Sequence, residues 1–482
     1  MKRLLVVLCA LLLVFVVDVC AQQSLTDEGL GTVVFPAIRD FHGGGARALG
    51  MSGAFLGLSD DVTGLSWNPA GVYSQDQTYE QPIISLGWGS YNGDNTFSLD
   101  GIQRPQSNDL SKSFDGITLF SMIAPVRVKG HPFVGGFTYH RLDDELAAAA
   151  FRYDTTTYYT IQDIEQDTPR PFSRLFGTEY HSKINSLDFG FGTRLYDRLS
   201  MGFVIGVYTG KGWYNERYTQ VQDGVPDVLG YQRVLQINDS LVIDSITYSG
   251  VSFTLGFRYA ADKWSAGMII RAPHKLKQEL DRTVILAQTI NGNTTDAGSI
   301  KRHDDNHLIE IDQPLVIGGG VAYKVTEKLL WAADLEYRAY SGGEVRVRDS
   351  LKLNPGDKDT EYFSTYDPHW NNVIAMRTGG EYMLETGSHI APIIPIRAGV
   401  GYTQIPAPGI DQSFSLTTPS KFSYSFGAGV RWGLVHFDFA YVGWSWDTER
   451  TTPAVIEGVS SNTYETSKNT DHSFNFSFTG FF

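Results

Sequence analysis

The chain of 482 residues has only 2 Cys, and both, Cys9 and Cys20, fall in its first 21 residues. From Gln22 onward there is no thiol, so neither a disulfide framework nor a thiolate metal site can be built. Charged residues make up only 19%, no Lys/Arg-rich stripe occurs, and the formal net charge of -14 argues against a nucleic-acid partner. Beyond the N-terminus, no segment approaches the about 20 consecutive apolar residues a membrane-crossing helix needs. No Gly-x-Ser-x-Gly, HExxH or CxxC motif is present, so nothing points to catalysis. With 42% hydrophobic residues and no triplet glycine period, the chain is neither disordered nor collagen-like. What it has in quantity is 50 Gly, 28 Phe, 25 Tyr and 9 Trp.

Lys2 and Arg3 precede an apolar run from Leu4 to Val17, and Val19-Cys20-Ala21 supplies a small-x-small cleavage site. This pattern predicts a secretory signal peptide over residues 1–21. The rival, acylation at Cys20, is disfavoured by Asp18 and the bulky Val19. Two positive charges and one negative leave with the peptide, taking the net charge from -14 to -15.

Further along, alternation dominates. Phe422, Tyr424, Phe426, Ala428, Val430 and Trp432 share one face against Lys421, Ser423, Ser425, Gly427, Gly429 and Arg431. Phe474, Phe476, Phe478 and Phe482 do the same, as do Val251, Phe253, Leu255, Phe257 and Tyr259. Period 2 with one apolar and one polar face is a half-exposed strand. The polar faces are rich in Gly and Ser with isolated charges such as Arg194, Arg258, Arg271, Arg397 and Asp438, and aromatics gather at strand ends: Tyr259, Trp264, Tyr323, Trp331, Tyr402, Trp432, Trp444 and Trp446. Apolar outside, polar inside and aromatic girdles are the signature of a transmembrane barrel rather than a soluble sandwich.

The alternation predicts about fourteen strands: 83–90, 116–126, 131–140, 183–196, 198–211, 247–260, 262–272, 310–324, 327–340, 372–384, 393–403, 421–432, 434–446 and 471–482. Short links such as Lys129-Gly130 and Gly433 alternate with long polar links at about 91–115, 141–182, 212–246, 273–309, 341–371, 404–420 and 447–470. That alternation of lengths predicts periplasmic turns and extracellular loops. The expected fold is all-β: a transmembrane antiparallel barrel over 79–482 with an N-terminal hatch, 22–78, inside the lumen. Phe482 at the end of an aromatic strand is similar to the signal read by the barrel assembly machinery, with Gly480 a departure from it.

Residues 22–75 do not alternate. The run GARALGMSGAFLGLSDDVTGLSWNPAGV holds Gly45, Arg47, Gly50, Gly53, Asp60, Asp61, Asn68, Pro69 and Ala70, the expected hatch residues, whose small side chains suit close backbone packing. This run resembles the hatch of the FadL/TodX family of outer-membrane transporters of hydrophobic compounds. Arg377-Thr378-Gly379-Gly380-Glu381-Tyr382, Ile396-Arg397-Ala398-Gly399-Val400-Gly401-Tyr402 and Phe426-Gly427-Ala428-Gly429-Val430 extend the resemblance into the C-terminal half. The hatch motif is shared with the PorV group of type IX secretion, barrel proteins that dock exported proteins, and that is the alternative function.

The resemblance implies passive uptake of long-chain fatty acids or aromatic hydrocarbons. Loops capture the ligand, the hatch moves, and the ligand leaves sideways through a gap made by a kink in the third strand. On that strand, Gly135 and Gly136 are the expected lateral gate, because missing side chains permit a kink. Leu142 to Phe151 reads as a short helix in a capture loop, with Leu146, Phe151, Phe172, Leu175 and Phe176 as ligand contacts and Trp213 and Tyr214 in the next loop. Inner charges, among them Asp188, Arg194, Asp334, Glu336, Arg338, Arg377, Glu381, Arg397 and Arg431, are expected to pair with one another and with Arg47, Asp60 and Asp61 of the hatch. The cluster His303-Asp304-Asp305-Asn306-His307 reads as a solvated loop rather than a metal site. The expected partners are a hydrophobic ligand, outer-membrane lipid and the assembly machinery; no cofactor, metal or nucleic acid is expected, and the chain is expected to act as a monomer.

Overall fold

The computed structural model describes residues 43–73, 82–100, 106–161, 164–226, 233–290, 293–294, 300–351, 360–368, 370–389, 392–406, 415–416, 420–456 and 459–482. The expected signal peptide and the first part of the expected hatch lie outside these residues.

The strands are β1 (Ile83–Asp100), β2 (Gln106–Val128), β3 (His131–Ile161), β4 (Ile164–Tyr196), β5 (Leu199–Pro226), β6 (Arg233–Ala260), β7 (Trp264–Arg271), β8 (His274–Ile290), β9 (Asn293–Thr294), β10 (Ile300–Gln313), β11 (Leu315–Lys324), β12 (Leu329–Ala339), β13 (Val345–Leu351), β14 (Thr360–Tyr366), β15 (Val373–Glu385), β16 (Ile393–Gln404), β17 (Ser415–Leu416), β18 (Ser420–Trp432), β19 (Val435–Ile456) and β20 (Val459–Phe481). Fourteen of them close an antiparallel barrel in the order β1, β2, β3, β4, β5, β6, β7, β11, β12, β15, β16, β18, β19, β20, with β20 pairing back on β1 from Ile83↔Phe481. Each coincides with one of the strands expected from alternation. Closure joins the first and last strands, and the backbone amides of the membrane band pair in the wall except where β2 and β3 part beyond Leu119 and His140.

The apolar face is the outer one. Phe253, Phe426, Phe476 and Phe478 are exposed, whereas Ser425, Ser473, Asn475 and Ser477 face inward and are buried. On β6 the outward apolar band runs from Tyr259 to Val251 and gives way to Ser249 and Thr247; on β5 it ends at Val207 before Thr209 and Lys211. A band of about nine residues is what a tilted strand needs to cross a bilayer. Exposed Tyr259, Trp264, Tyr323, Trp331 and Trp432 ring the end of the barrel that carries the short turns. This is the build of an outer-membrane barrel protein. The tight turn Lys129-Gly130 has φ of 50° and 86°, the left-handed pair that a two-residue hairpin matched to strand twist requires, and Gly supplies one of them without strain.

Above the band the wall does not dissolve into loops. β3, β4, β5 and β6 are 31, 33, 28 and 28 residues long, far more than the about 10 that cross the membrane. The expected loops at 141–182, 212–246 and 273–309 are therefore largely strand, and the expected helix at 142–151 is part of β3. The reason is physical: once both faces of a strand meet water, the alternating apolar signal fades while the backbone ladder continues. Pro273 and Pro314, which lack an N–H to donate, lie at the breaks between β7 and β8 and between β10 and β11.

Candidate functional site

Residues 43–73 occupy the barrel interior. Gly45, at φ 103°, leads into α1 (Ala46–Leu49), and α2 (Gly64–Trp67) follows Asp61, whose Oδ1 accepts from the Thr63 backbone N–H and hydroxyl. Asn68 Oδ1 caps a 3₁₀ turn (Pro69–Val72) by accepting from Ala70, while its Nδ2 donates to the Leu56 and Phe257 carbonyls at 3.0 and 3.1 Å. One side chain thus closes a hatch turn and ties it to β6. Met51, Ala54, Phe55, Leu58 and Trp67 pack on Ala322 and Ala332, and Val62, Leu65 and Val72 pack on Ile83, Ile123, Val134 and Val204. The wall leaves room because its inward positions opposite the hatch are glycines: a Cβ at Gly399 would collide with the Met51 backbone, and one at Gly256 with Asn68 and Pro69.

A chain of charges surrounds this plug. Arg47 reaches Asp60 at 2.7 Å, Asp61 at 3.3 Å and Glu381 at 3.1 Å. Glu381 also holds Arg397 at 2.6 Å, Arg397 holds Asp438 at 2.7 Å, and Asp438 holds Arg431 at 2.9 Å. On the neighbouring stretch of β12 and β15, Glu336 bridges Arg377 and Arg338, and Asp334 Oδ2 accepts from the Phe55 and Leu56 N–H groups at 2.6 and 2.8 Å. Burial opposes the Arg47 charge, but Asp60, Glu381 and Asp61 outweigh it and hold its pKa well above the ordinary value. Burial raises that of Asp61 in spite of Arg47. Buried charges are tolerated when paired and hydrogen-bonded, and these pairs fasten the hatch to the wall. Of the expected inner charges, Glu381 pairs with Arg47 of the hatch, and Glu336, Arg338, Arg377, Arg397 and Arg431 pair within the wall; Asp334 accepts from hatch backbone, Asp188 meets His140, and Arg194 is exposed near the short-turn end of β4.

Away from the short turns, beyond the hatch, the inner face changes character. Ile184, Ile246, Tyr248, Leu276, Leu280, Ile309, Ile311 and Val345 are buried on the inward side of β4, β6, β8, β10 and β13. Adjacent registers bring them together: Ile246 opposes Leu280, and Leu276 opposes Ile311, which opposes Val345. A barrel interior is ordinarily polar, so an apolar patch here departs from the rule. Sequence reading placed most of these residues in loops and missed them, although Leu308-Ile309-Glu310-Ile311 alternates by one face.

The ladder between β2 and β3 ends early. β2 and β3 pair from Val128↔His131 only to Leu119↔His140, although both strands continue well past that point. Above it β2 pairs with β1 alone and β3 with β4 alone, and the β3–β4 register shifts between Arg141 and Asp143. The β1–β2 register shifts at the same level, between Gly87 and Trp88. The hatch residue Gly44 lies there too, close enough that a Cβ would collide with Leu119 and approach His140. Gly135 and Gly136, expected to permit a kink at the lateral gate, stay in the ladder on both sides, pairing with Ala124 and Ile123 and with Phe191 and Gly190. Gly136 instead permits close approach to the Met122 carbonyl.

Of the expected ligand contacts, Leu146 and Phe151 lie on β3 and Phe172, Leu175 and Phe176 on β4, with side chains outside the described residues; Phe151 opposes Phe176. Trp213 faces outward on β5, 6.1 Å from the His181 ring, whereas Tyr214 is buried inward. Trp444 and Trp446, expected in the lipid girdle, share the lumen face of β19 with Asp438 and hold the Lys421 ammonium 5.1 and 4.9 Å from their rings. His303 to His307 lie on β10 with side chains outside the described residues, and among the described residues no metal-binding cluster occurs.

The solved structures similar to this chain share its architecture. A FadL homologue from Pseudomonas aeruginosa is 13% identical over 92% of this chain and 99% of its own, with a TM-score of 0.59. The P. putida toluene transporter TodX is 13% identical over 92% and 99%, with a TM-score of 0.55. The Ralstonia pickettii toluene transporter TbuX is 11% identical over the same shares, with a TM-score of 0.51. No protein-family model matches the chain, and no curated protein matches it in sequence. The common fold, a fourteen-stranded FadL-type barrel, is what these likenesses establish.

Proposed function

We propose that the chain is a non-catalytic outer-membrane channel through which long-chain fatty acids or aromatic hydrocarbons enter by passive diffusion. The observation that carries this reading is the apolar inner face of Ile246, Leu276, Leu280 and Ile311, set above a hatch in a barrel whose β2–β3 ladder ends at Leu119 and His140. A ligand moves from the mouth along this face, meets the hatch, and leaves sideways above Leu119 and His140 as the hatch shifts. Sideways exit suits an acyl chain or arene, which regains about 0.8 kcal/mol per CH₂ on returning to lipid. The fold shared with a FadL homologue and two toluene transporters supports the same reading.

In this scheme residues 1–21 are a cleaved signal, 22–78 the hatch and 79–482 the barrel, inserted by the assembly machinery and active as a monomer. Leu146, Phe151, Phe172, Leu175, Phe176 and Tyr214 contribute to the mouth. The PorV-like alternative, docking of exported proteins, draws on the long hairpins of β3 to β6, but an apolar inner face has no use in it. Uptake of a labelled fatty acid and of labelled toluene by a transporter-deleted host tests the reading. Uptake rises when the protein is present; equal uptake without it refutes transport.

A further inference from the structure

Two lysines stand side by side on the outer surface of the wall. Lys183 of β4 is the register partner of Lys211 of β5, on the face that carries Val207 and Trp213, which is the outward one. Like charges directly opposite each other in an antiparallel pair repel, and an anion set between them relieves the repulsion. Lys211 is exposed and has no ion-pair partner among the described residues. By register Thr247 of β6 lies next to Lys211, and Asp144 of β3 and Glu279 of β8 close the row at its two ends. Positive charge is thereby confined to two adjacent positions about 5 Å apart. Their height in the wall is informative. Leu187, Val207 and Val251 form the last apolar row of the membrane band, and Asn185, Thr209 and Ser249 lie between it and the lysines. From Val207 to Lys211 is about 13 Å along a tilted strand, which reaches the layer of lipid headgroups. The Tyr139 hydroxyl donates to Asn185 Oδ1 at 2.9 Å below the lysines, and the His181 and Trp213 rings stand 6.1 Å apart above them. An outward Trp at this level marks a membrane–water boundary.

We propose that Lys183 and Lys211 bind the phosphate of a phosphomonoester lipid in the leaflet away from the short turns, with Thr209 and Thr247 as hydroxyl donors and the acyl chains lying on Leu187 and Val207. In the orientation expected from the loop lengths, that leaflet is the outer one. A phosphate monoester carries close to two negative charges and three acceptor oxygens, which match two ammonium groups. A phosphodiester headgroup carries one charge, and a phosphocholine is neutral as a whole. Every bilayer lipid supplies the apolar contacts alike, so the site selects by headgroup. It lies outside the barrel and is independent of the route that cargo takes through the lumen.

The test measures lipid binding by the purified full-length protein in micelles of a neutral detergent, with phosphatidic acid, phosphatidylglycerol and phosphatidylcholine of one acyl composition as probes. Phosphatidic acid binds roughly thirtyfold tighter than phosphatidylcholine, about fivefold for each lysine, with phosphatidylglycerol between them. The double variant Lys183→Gln, Lys211→Gln brings that ratio to about one, and Lys211→Gln alone lowers it about fivefold, which carries the test if the double variant does not assemble. Lys211→Arg keeps the preference, and Lys263→Gln, exposed at the short-turn end, leaves it unchanged. Equal affinity for phosphatidic acid and phosphatidylcholine in the unaltered protein overturns the proposal. So does a preference that survives both substitutions, or one that falls as far with Lys263→Gln. Inorganic phosphate that displaces the lipid at an equal concentration marks a site for the free anion and overturns the lipid assignment.

Discussion

Arg47 ties three carboxylates together, two in the hatch and one in the wall, while its own side chain is only 16% exposed. Removing it leaves Glu381, which is 2% exposed, with Arg397 alone and takes the cation from Asp60 and Asp61. Breaking a buried pair costs about 3–5 kcal/mol. Arg47→Met is therefore expected to lower thermal stability by that order, and Glu381→Gln in the same background to recover part of it; additive losses in the double-mutant cycle contradict the coupling. Glycine works at this scale by absence. Gly399→Val has no room beside the Met51 backbone, so the hatch is expected to be displaced and Arg47 to become open to trypsin, whereas the unaltered protein resists cleavage there. The paired charges of the hatch were readable as a set from sequence because inward charges in a barrel need partners. Which carboxylate meets which arginine was not readable, since partners such as Arg47 and Glu381 lie 334 residues apart.

The gap between β2 and β3 belongs to the scale of elements. The stretch from Gln22 onward contains no cysteine, so introduced thiols are the only ones available for cross-linking. Ile117→Cys with Arg141→Cys, joined by a short bis-maleimide across the unpaired region, is expected to abolish most uptake. Phe120→Cys with Tyr139→Cys, where the strands already pair, is expected to leave it unchanged; equal loss in both pairs contradicts lateral exit above His140. On the apolar inner face, Leu280→Glu places a charge in the ligand path and is expected to reduce uptake at least about tenfold, given the cost of passing grease over a buried charge, while the barrel still assembles. The strand segments inside the bilayer were legible because lipid on one side and a polar lumen on the other impose period 2. Their continuation above the membrane was not, because water meets both faces there. The site of the wall gap escaped for a different reason: Gly135-Gly136 signals close approach as readily as a break, and loss of pairing depends on where β2 turns toward β1, which no local pattern encodes.

At the scale of the whole molecule, the low charge content and abundant glycine have a common explanation. Glycine and serine line the inside where the hatch must fit, aromatics cover the outside, and the ionic groups inside are used in pairs. Arg47, Asn68 and Asp334 fasten the described part of the hatch to the wall, and in the proposed scheme this denies water-soluble compounds a channel while an apolar one follows the wall to the gap. The measurement that bears most directly on this is paired uptake in a transporter-deleted host: labelled toluene or fatty acid beside a hydrophilic solute of similar size, with and without the protein. Faster entry of the hydrophobic compound alone is the predicted result. Entry of both at the same enhanced rate, or of the hydrophilic solute alone, contradicts a closed hatch with lateral exit.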